Sequence, residues 1–324
     1  MNEHTHWLPV ALSADIEASP HAVQLLGQAL VLWRNSQGRI AGAHDRCPHR
    51  GARLSFGRVC EGQLECPYHG WRFDADGPCR HVPALPDFVP AAGQRLQTVG
   101  VHEAHGLVWV RLDGEGGQLP AFAAEADARL RKLNCGPYDV ATSAPRIVEN
   151  FLDMTHFAFV HEGWLGERGH AAHHDHPVER TPTALIATGC QAWQPQSNRL
   201  SSGGAMVDYS YEVTGPFSAV LTKRPDDPAL GDYREAIGLF ICPLTPETSR
   251  VWFRLAVADF ASSDEALRAF QHTIFTQDQP VLESQQPKCL PLDPRAEQHT
   301  TADRVSLAYR RFLRDSGITF GVIA

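Results

Sequence analysis

A chain of 324 residues is long enough for two domains with cores of their own. Its net charge of -8 argues against nucleic acid and anionic membrane as partners, because both reward a basic face. No run approaches the roughly twenty apolar residues of a membrane span. The start lacks the basic-then-apolar order of a secretory signal, and eight irregularly spaced cysteines do not make a disulfide framework, so a cytoplasmic protein is expected.

In chain order, Ala29-Leu30-Val31-Leu32-Trp33, the turn residues Asn35 to Gly38, and Ile40 to His44 predict a β-hairpin. Then come Cys47-Pro48-His49-Arg50-Gly51 and Cys66-Pro67-Tyr68-His69-Gly70-Trp71, a C-x-H pair and a C-x-x-H pair with sixteen residues between them. A Rieske 2Fe-2S centre holds one iron by two thiolates and the other by two imidazoles. Cys47, His49, Cys66 and His69 supply that set from two loops. Gly51 and Gly70 allow the tight turns that aim backbone N–H groups at sulfur. Zinc uses the same residue types, but its frameworks usually open with two cysteines two to four residues apart, whereas each pair here mixes Cys with His.

The run from Cys47 through Phe73, Gly77 and Pro83 resembles the Rieske domain of aromatic-ring-hydroxylating oxygenase terminal subunits. Ala52 and Tyr68 stand where high-potential respiratory Rieske proteins carry an extra cysteine pair. With few hydroxyl donors near the sulfurs, a low-potential cluster is expected. Cys60 and Cys79 read as ordinary thiols. Arg46, Arg50, Arg53, Arg58, Arg72 and Arg80 read either as a solvated face or as a patch steering an acidic electron donor. A strand over His105 to Leu112 closes the small domain. Asp113-Gly114-Glu115-Gly116-Gly117 marks the boundary, giving a Rieske domain over 1–116 and a catalytic domain over 117–324.

Ile147 to His161 reads as a helix, with Asn150, Asp153 and His156 at three-residue steps along one face. His161 falls about 140° from His156 on a regular helix, so the helix must end, bend or bulge between them if both are to meet one metal. Strands follow at Leu185 to Trp193, Ala205 to Val213, Ser218 to Lys223, Ala236 to Cys242 and Arg250 to Asp259. Ser262 and Glu265 suggest a capping box opening a helix towards Gln286, kinked at Pro280 beside Asp278. A last helix, Thr301 to Asp315, ends at Gly317. The loop histidines His170, His173, His174 and His176 read as a solvated loop or a site rim rather than a metal site.

His156 and His161 with a distant carboxylate compose the 2-His-1-carboxylate set of non-haem iron(II). Asn150-x-x-Asp153-x-x-His156-x4-His161 resembles the catalytic-helix motif of Rieske oxygenases, and Gln277 to Gln286 is similar to the segment where the demethylating and monooxygenating branch places its third ligand, here Asp278. Phe159 to Gly166 and Ala308 to Leu313 look most like cyanobacterial saxitoxin-tailoring hydroxylases, and more loosely like bacterial methylxanthine N-demethylases.

The resemblance implies an α+β protein whose catalytic domain has a curved antiparallel sheet gripping helices. It also implies one 2Fe-2S cluster and one mononuclear iron(II), O2 as co-substrate, NAD(P)H used indirectly through a reductase or ferredoxin, and a homotrimer. In such a ring the equivalent of Asp153 links a cluster histidine of one subunit to an iron histidine of the next, although Asp153 could equally orient His156 within its own subunit. Hydroxylation of a small cyclic substrate is the leading expectation, with O- or N-demethylation and ring cis-dihydroxylation as alternatives. A Rieske electron carrier without oxygenase activity is the rival of another class.

Overall fold

The computed structural model describes residues 2–114, 116–181, 184–196, 203–225 and 234–324. The chain divides into two compact units, His4–Leu119 and Pro120–Ala324, the second also taking in Glu3. Glu115, in the glycine-rich segment read as the boundary, lies outside the described residues. Among those residues no helix is long and apolar enough to cross a membrane.

The first unit is all β. β1 (Leu8–Leu12), β10 (Leu107–Arg111) and β9 (Gly100–Ala104) form one sheet, and β2 (His21–Leu25), β3 (Gln28–Arg34) and β4 (Ile40–His44) a second. A third joins β5 (Arg58–Cys60), β6 (Gln63–Glu65), β7 (Arg72–Phe73) and β8 (Cys79–His81). The expected hairpin is β3–β4, with Leu30 opposite His44 and Arg34 opposite Ile40. Val31, Trp33, Leu64, Phe73 and Leu96 bury their side chains in one cluster with Cys47 and Cys66. Each large side chain so buried stabilises the unit by roughly 1.5–3 kcal/mol, and the cluster holds both cysteine loops on one core.

The second unit is built on a seven-stranded antiparallel sheet. Its order is β11 (Arg131–Val140), β17 (Thr248–Val257), β16 (Glu235–Thr245), β15 (Ser218–Pro225), β14 (Ala205–Gly215), β13 (Leu185–Gln194) and β12 (Val178–Arg180). β14 shows strict two-residue alternation of buried and less buried positions, as a half-covered strand must. The helices are α1 (Ala144–Leu152), the single turn α2 (Phe157–Val160), α3 (Asp264–Ser284) and α4 (Arg304–Asp315). Tyr138 of β11 and Phe253 of β17 pack on Phe275 of α3 at ring-centre distances of 4.8 and 5.1 Å. This contact seats α3 across one end of the sheet.

Two local expectations need correction. The helix over Ile147 to His161 is two pieces: α1 stops at Leu152, and Asp153 leaves helical geometry at φ -92°, ψ 131°. The Asp153 carboxylate explains the stop, because it accepts hydrogen bonds from the Thr155 N–H and hydroxyl, both at 2.7 Å, closing a side-chain turn that competes with helical bonding. The capping register of α3 is one residue late. Ser263, not Ser262, accepts from the Ala266 N–H, while Ser262 is held by Asp259. The helix continues past Pro280 to Ser284.

Candidate active site with two metal-ligand sets

Each cysteine loop has the same construction. The Cys47 N–H bonds the Ala52 carbonyl at 2.8 Å and the Gly51 N–H bonds the Cys47 carbonyl at 2.9 Å. At the second loop the Cys66 N–H bonds the Trp71 carbonyl at 2.8 Å and the Gly70 N–H bonds the Cys66 carbonyl at 3.1 Å. Gly51 and Gly70 adopt φ of +73° and +67°, a region that a side chain would strain. Asp45, buried, clamps the first loop by accepting from the Ser55 N–H at 2.8 Å and its hydroxyl at 2.6 Å.

The two thiols are buried and the two imidazoles exposed, with ring centres 4.6 Å apart. Trp71 stacks on His49 at 4.5 Å, and Tyr68 packs against His69 at 3.9 Å. Burial, helped by the neighbouring Cys66, pushes the Cys47 thiol up to about 12, while the His49 and Arg50 amides point at its sulfur and favour the thiolate. Two inward sulfurs and two outward nitrogens on matched loops fit a cluster with one thiolate-bound and one imidazole-bound iron.

The arginine patch divides. Glu65 pairs with both Arg58 and Arg72 at 2.7 Å, and Asp74 pairs with Arg80. Arg46, Arg50 and Arg53 meet no carboxylate among the described residues, and the first two line an open concavity beside His49.

In the second unit the break at Asp153 makes the site. His156 precedes α2 and His161 follows it, so one helical turn brings both rings together. His156 Nε2 and His161 Nε2 are 3.3 Å apart, and Asp278 Oδ1 lies 3.4 and 3.3 Å from them. Bonds of about 2.1 Å at right angles put neighbouring donors about 3.0 Å apart. The near-equilateral triangle therefore fits three facial positions of one ion, and imidazole with carboxylate suits iron(II). Among the described residues it is the one group of three such side chains with ligand atoms within 4.8 Å.

The remaining ring nitrogens are fixed. Asp153 Oδ2 faces His156 Nδ1 at 3.3 Å, and Gln277 Oε1 faces His161 Nδ1 at 2.8 Å, so each imidazole donates from Nδ1 and offers Nε2 to the centre. Burial pushes the Asp153 carboxyl up, but His156 and the two Thr155 donors outweigh it and hold the group below its ordinary range. Asn150 Nδ2 donates to Asp278 Oδ1 at 3.3 Å. Gln277 is the residue that sequence reasoning missed. Its signal was adjacency to Asp278, which cannot reveal that it reaches His161. Glu283 turns away, accepting from the Ala141 N–H at 3.0 Å and from Gln279 at 2.9 Å. His170 packs on Trp193 at 5.0 Å and His173 on His176 at 5.3 Å.

The triad opens into a cavity with about 710 Å³ of empty space, part of it open to solvent. Its walls are Ile147 and Phe151 from α1, Leu221, Ile237, Leu239 and Phe253 from the sheet, and Phe270, Ile274 and Phe275 from α3. Gln271, also lining it, stands two helical turns before Asp278, about 10 Å along the axis.

Comparison with known proteins bears on both units. Residues 6–99 match the Rieske 2Fe-2S domain, and residues 140–316 match the vanillate O-demethylase oxygenase C-terminal domain. Methylxanthine N1-demethylase NdmA of Pseudomonas putida is 32% identical over 95% of this chain and 88% of its own. Its solved structure with caffeine superposes with a TM-score of 0.84 at 31% identity, covering 96% of this chain and 90% of that one. Oxidoreductase NdmD of the same organism is 38% identical over 35% of this chain and 19% of its own length.

The likeness to saxitoxin-tailoring hydroxylases, drawn from two short segments, finds no support in these relatives. The methylxanthine demethylases, expected as the looser match, span nearly the whole chain. A bare electron carrier has no use for the second matched domain, and that alternative falls. The chain belongs to the Rieske non-haem iron oxygenases, oxidoreductases that use a 2Fe-2S cluster and a mononuclear iron to oxygenate small molecules with O2.

Proposed function

We propose that this enzyme is an N-demethylating monooxygenase acting on a small, flat, methylated heterocycle. In this reading Cys47, His49, Cys66 and His69 hold the cluster, and His156, His161 and Asp278 hold the iron. The observation that carries it is the His–His–Asp triangle opening into an apolar cavity, in a chain 32% identical to a methylxanthine N1-demethylase over 95% of its length.

When bound, the two metal groups supply electrons and activate dioxygen. The chain's residues do the rest. Asp153 and Gln277 fix the imidazole tautomers, and Asn150 steadies the Asp278 oxygen that the imidazoles face. The aromatic and aliphatic walls exclude water and hold a flat ring with its methyl group towards the triad. One oxygen atom of O2 enters the N–CH3 group, and the other leaves as water with two electrons and two protons. The hydroxymethyl product breaks down to formaldehyde and an N–H.

Electrons come from a separate reductase or ferredoxin. His49 and His69 are exposed, and the Asp153 side chain is 31% exposed, so both can meet a neighbouring copy. This supports a homotrimer in which Asp153 connects the cluster of one subunit to the iron of the next. The test is a panel of N-methyl, O-methyl and unmethylated heterocycles under O2 uptake. Formaldehyde matching O2 consumption is the expected result. A hydroxylated product that keeps its methyl group, or a cis-diol, overturns the demethylase reading.

A further inference from the structure

The sheet face behind the cavity is aliphatic at Leu221, Ile237 and Leu239, but one rung differs. Tyr209 of β14 is in register with Lys223 of β15, and Lys223 with Glu235 of β16, so the three side chains stand in a row on one face. Lys223 Nζ lies 2.9 Å from Glu235 Oε2, and both side chains are buried. Tyr209, 2% exposed, shares a hydrogen bond with the Gln194 side-chain amide and meets no other polar partner among the described residues.

Tyr209 and Lys223 both line the cavity. Phe157 stands between this rung and the triad, its ring 5.8 Å from His161 and 6.0 Å from Tyr209. A polar rung in an otherwise aliphatic wall is costly to leave facing an apolar ligand, and an acceptor on a bound ligand removes that cost.

We propose that Tyr209 and Lys223 form an acceptor-binding subsite that fixes a carbonyl oxygen of the substrate about one ring away from the carbon being oxidised. The subsite selects neutral cyclic amides and imides. It rests on the demethylase reading and deepens it by naming the substrate class. Glu235 already balances the ammonium, so a carboxylate ligand sets a second anion beside it in a buried wall and is disfavoured. Burial, reinforced by Glu235, holds the Tyr209 phenol in its protonated, donating form.

The experiment is anaerobic calorimetric titration of protein with full iron and sulfide content. The probes are 1-methyl-4-quinolone, a vinylogous cyclic amide whose carbonyl lies across the ring from its N-methyl group, 1-methylnaphthalene and 1-naphthoate. The quinolone is expected to bind about tenfold tighter than either of the others, one good hydrogen bond to a buried donor. Tyr209→Phe should remove that preference and leave methylnaphthalene binding unchanged. Lys223→Met combined with Glu235→Gln, which leaves no unpaired charge, should weaken the quinolone in the same direction. Equal binding of quinolone and methylnaphthalene, a preference that survives Tyr209→Phe, tightest binding of naphthoate, or no binding of any probe overturns the subsite. Formaldehyde release from the quinolone separates the two readings. Tyr209-dependent binding without formaldehyde keeps the subsite and sinks the demethylase, and formaldehyde with Tyr209-independent binding does the reverse.

Discussion

The proposed iron site depends on which nitrogen each histidine presents, and two side chains decide that. Removing the Gln277 acceptor should loosen His161 without touching the cluster unit. Gln277→Leu is expected to lower mononuclear iron affinity by about 10–100-fold, the usual cost of losing a partner behind a ligand. Metal analysis after dialysis should show the iron falling while acid-labile sulfide stays constant. Asp278→Ala should abolish mononuclear iron and turnover and keep the cluster spectrum, whereas Glu283→Ala should keep both, because its carboxylate caps the end of β11. The reverse pattern would move the third ligand to Glu283.

Among the elements, α1 carries Asn150 and leads into the proposed iron ligands, so its anchoring matters to the site. Arg146 of α1 and Arg310 of α4, each 2% exposed, share Glu149 and Glu297 in a four-member ion network. Burial opposes the charge on Glu297, but hydrogen bonds from Arg146 and Arg310 win and hold its carboxyl at about 2. A carboxyl depressed by folding contributes stability that is complete above its unfolded value near 4.5 and is lost as pH falls towards 2. For Glu297 that contribution is roughly 3 kcal/mol at neutral pH. Denaturant unfolding from pH 6 to 3 should therefore show a falling midpoint, and Glu297→Gln should start lower and fall less steeply. Arg310→Met leaves the part-buried Glu149 and Glu297 with Arg146 alone between them and should cost about 1.5–3 kcal/mol. A stability within 1 kcal/mol of the parent would mean that the network contributes nothing net.

At the scale of the whole molecule, the issue is how electrons reach the iron. If Asp153 connects neighbouring subunits, chains lacking a cluster (Cys66→Ala) mixed with chains lacking the iron (His161→Ala) should recover part of the activity. Some interfaces in a mixed ring set an intact cluster against an intact iron. Verified mixed oligomers that stay inactive would place the path within one chain. Asp153→Asn should keep both metal contents and slow reoxidation of the reduced cluster, because it weakens the contact with His156 Nδ1. It should also loosen the side-chain turn that ends α1, since the Thr155 donors lose their charged acceptor.

By itself the sequence determined which atoms could serve as metal ligands. Each Rieske pair lies within a few consecutive residues, and a loop that short is set by its own glycine and backbone bonds. His156 and His161 were legible for the same reason, being separated by a single turn. Tertiary structure decided the rest. The helix break falls at Asp153 because a side-chain turn outcompetes helical bonding, which spacing along a helical wheel cannot show. Gln277 reaches His161 across 116 positions of sequence, so only folding brings them together. Alternation along β14 and β15 marks which residues share a face. Whether that face looks into the cavity is settled by α1 and α3 covering it, and this is why the Tyr209–Lys223–Glu235 rung was invisible until the sheet was assembled.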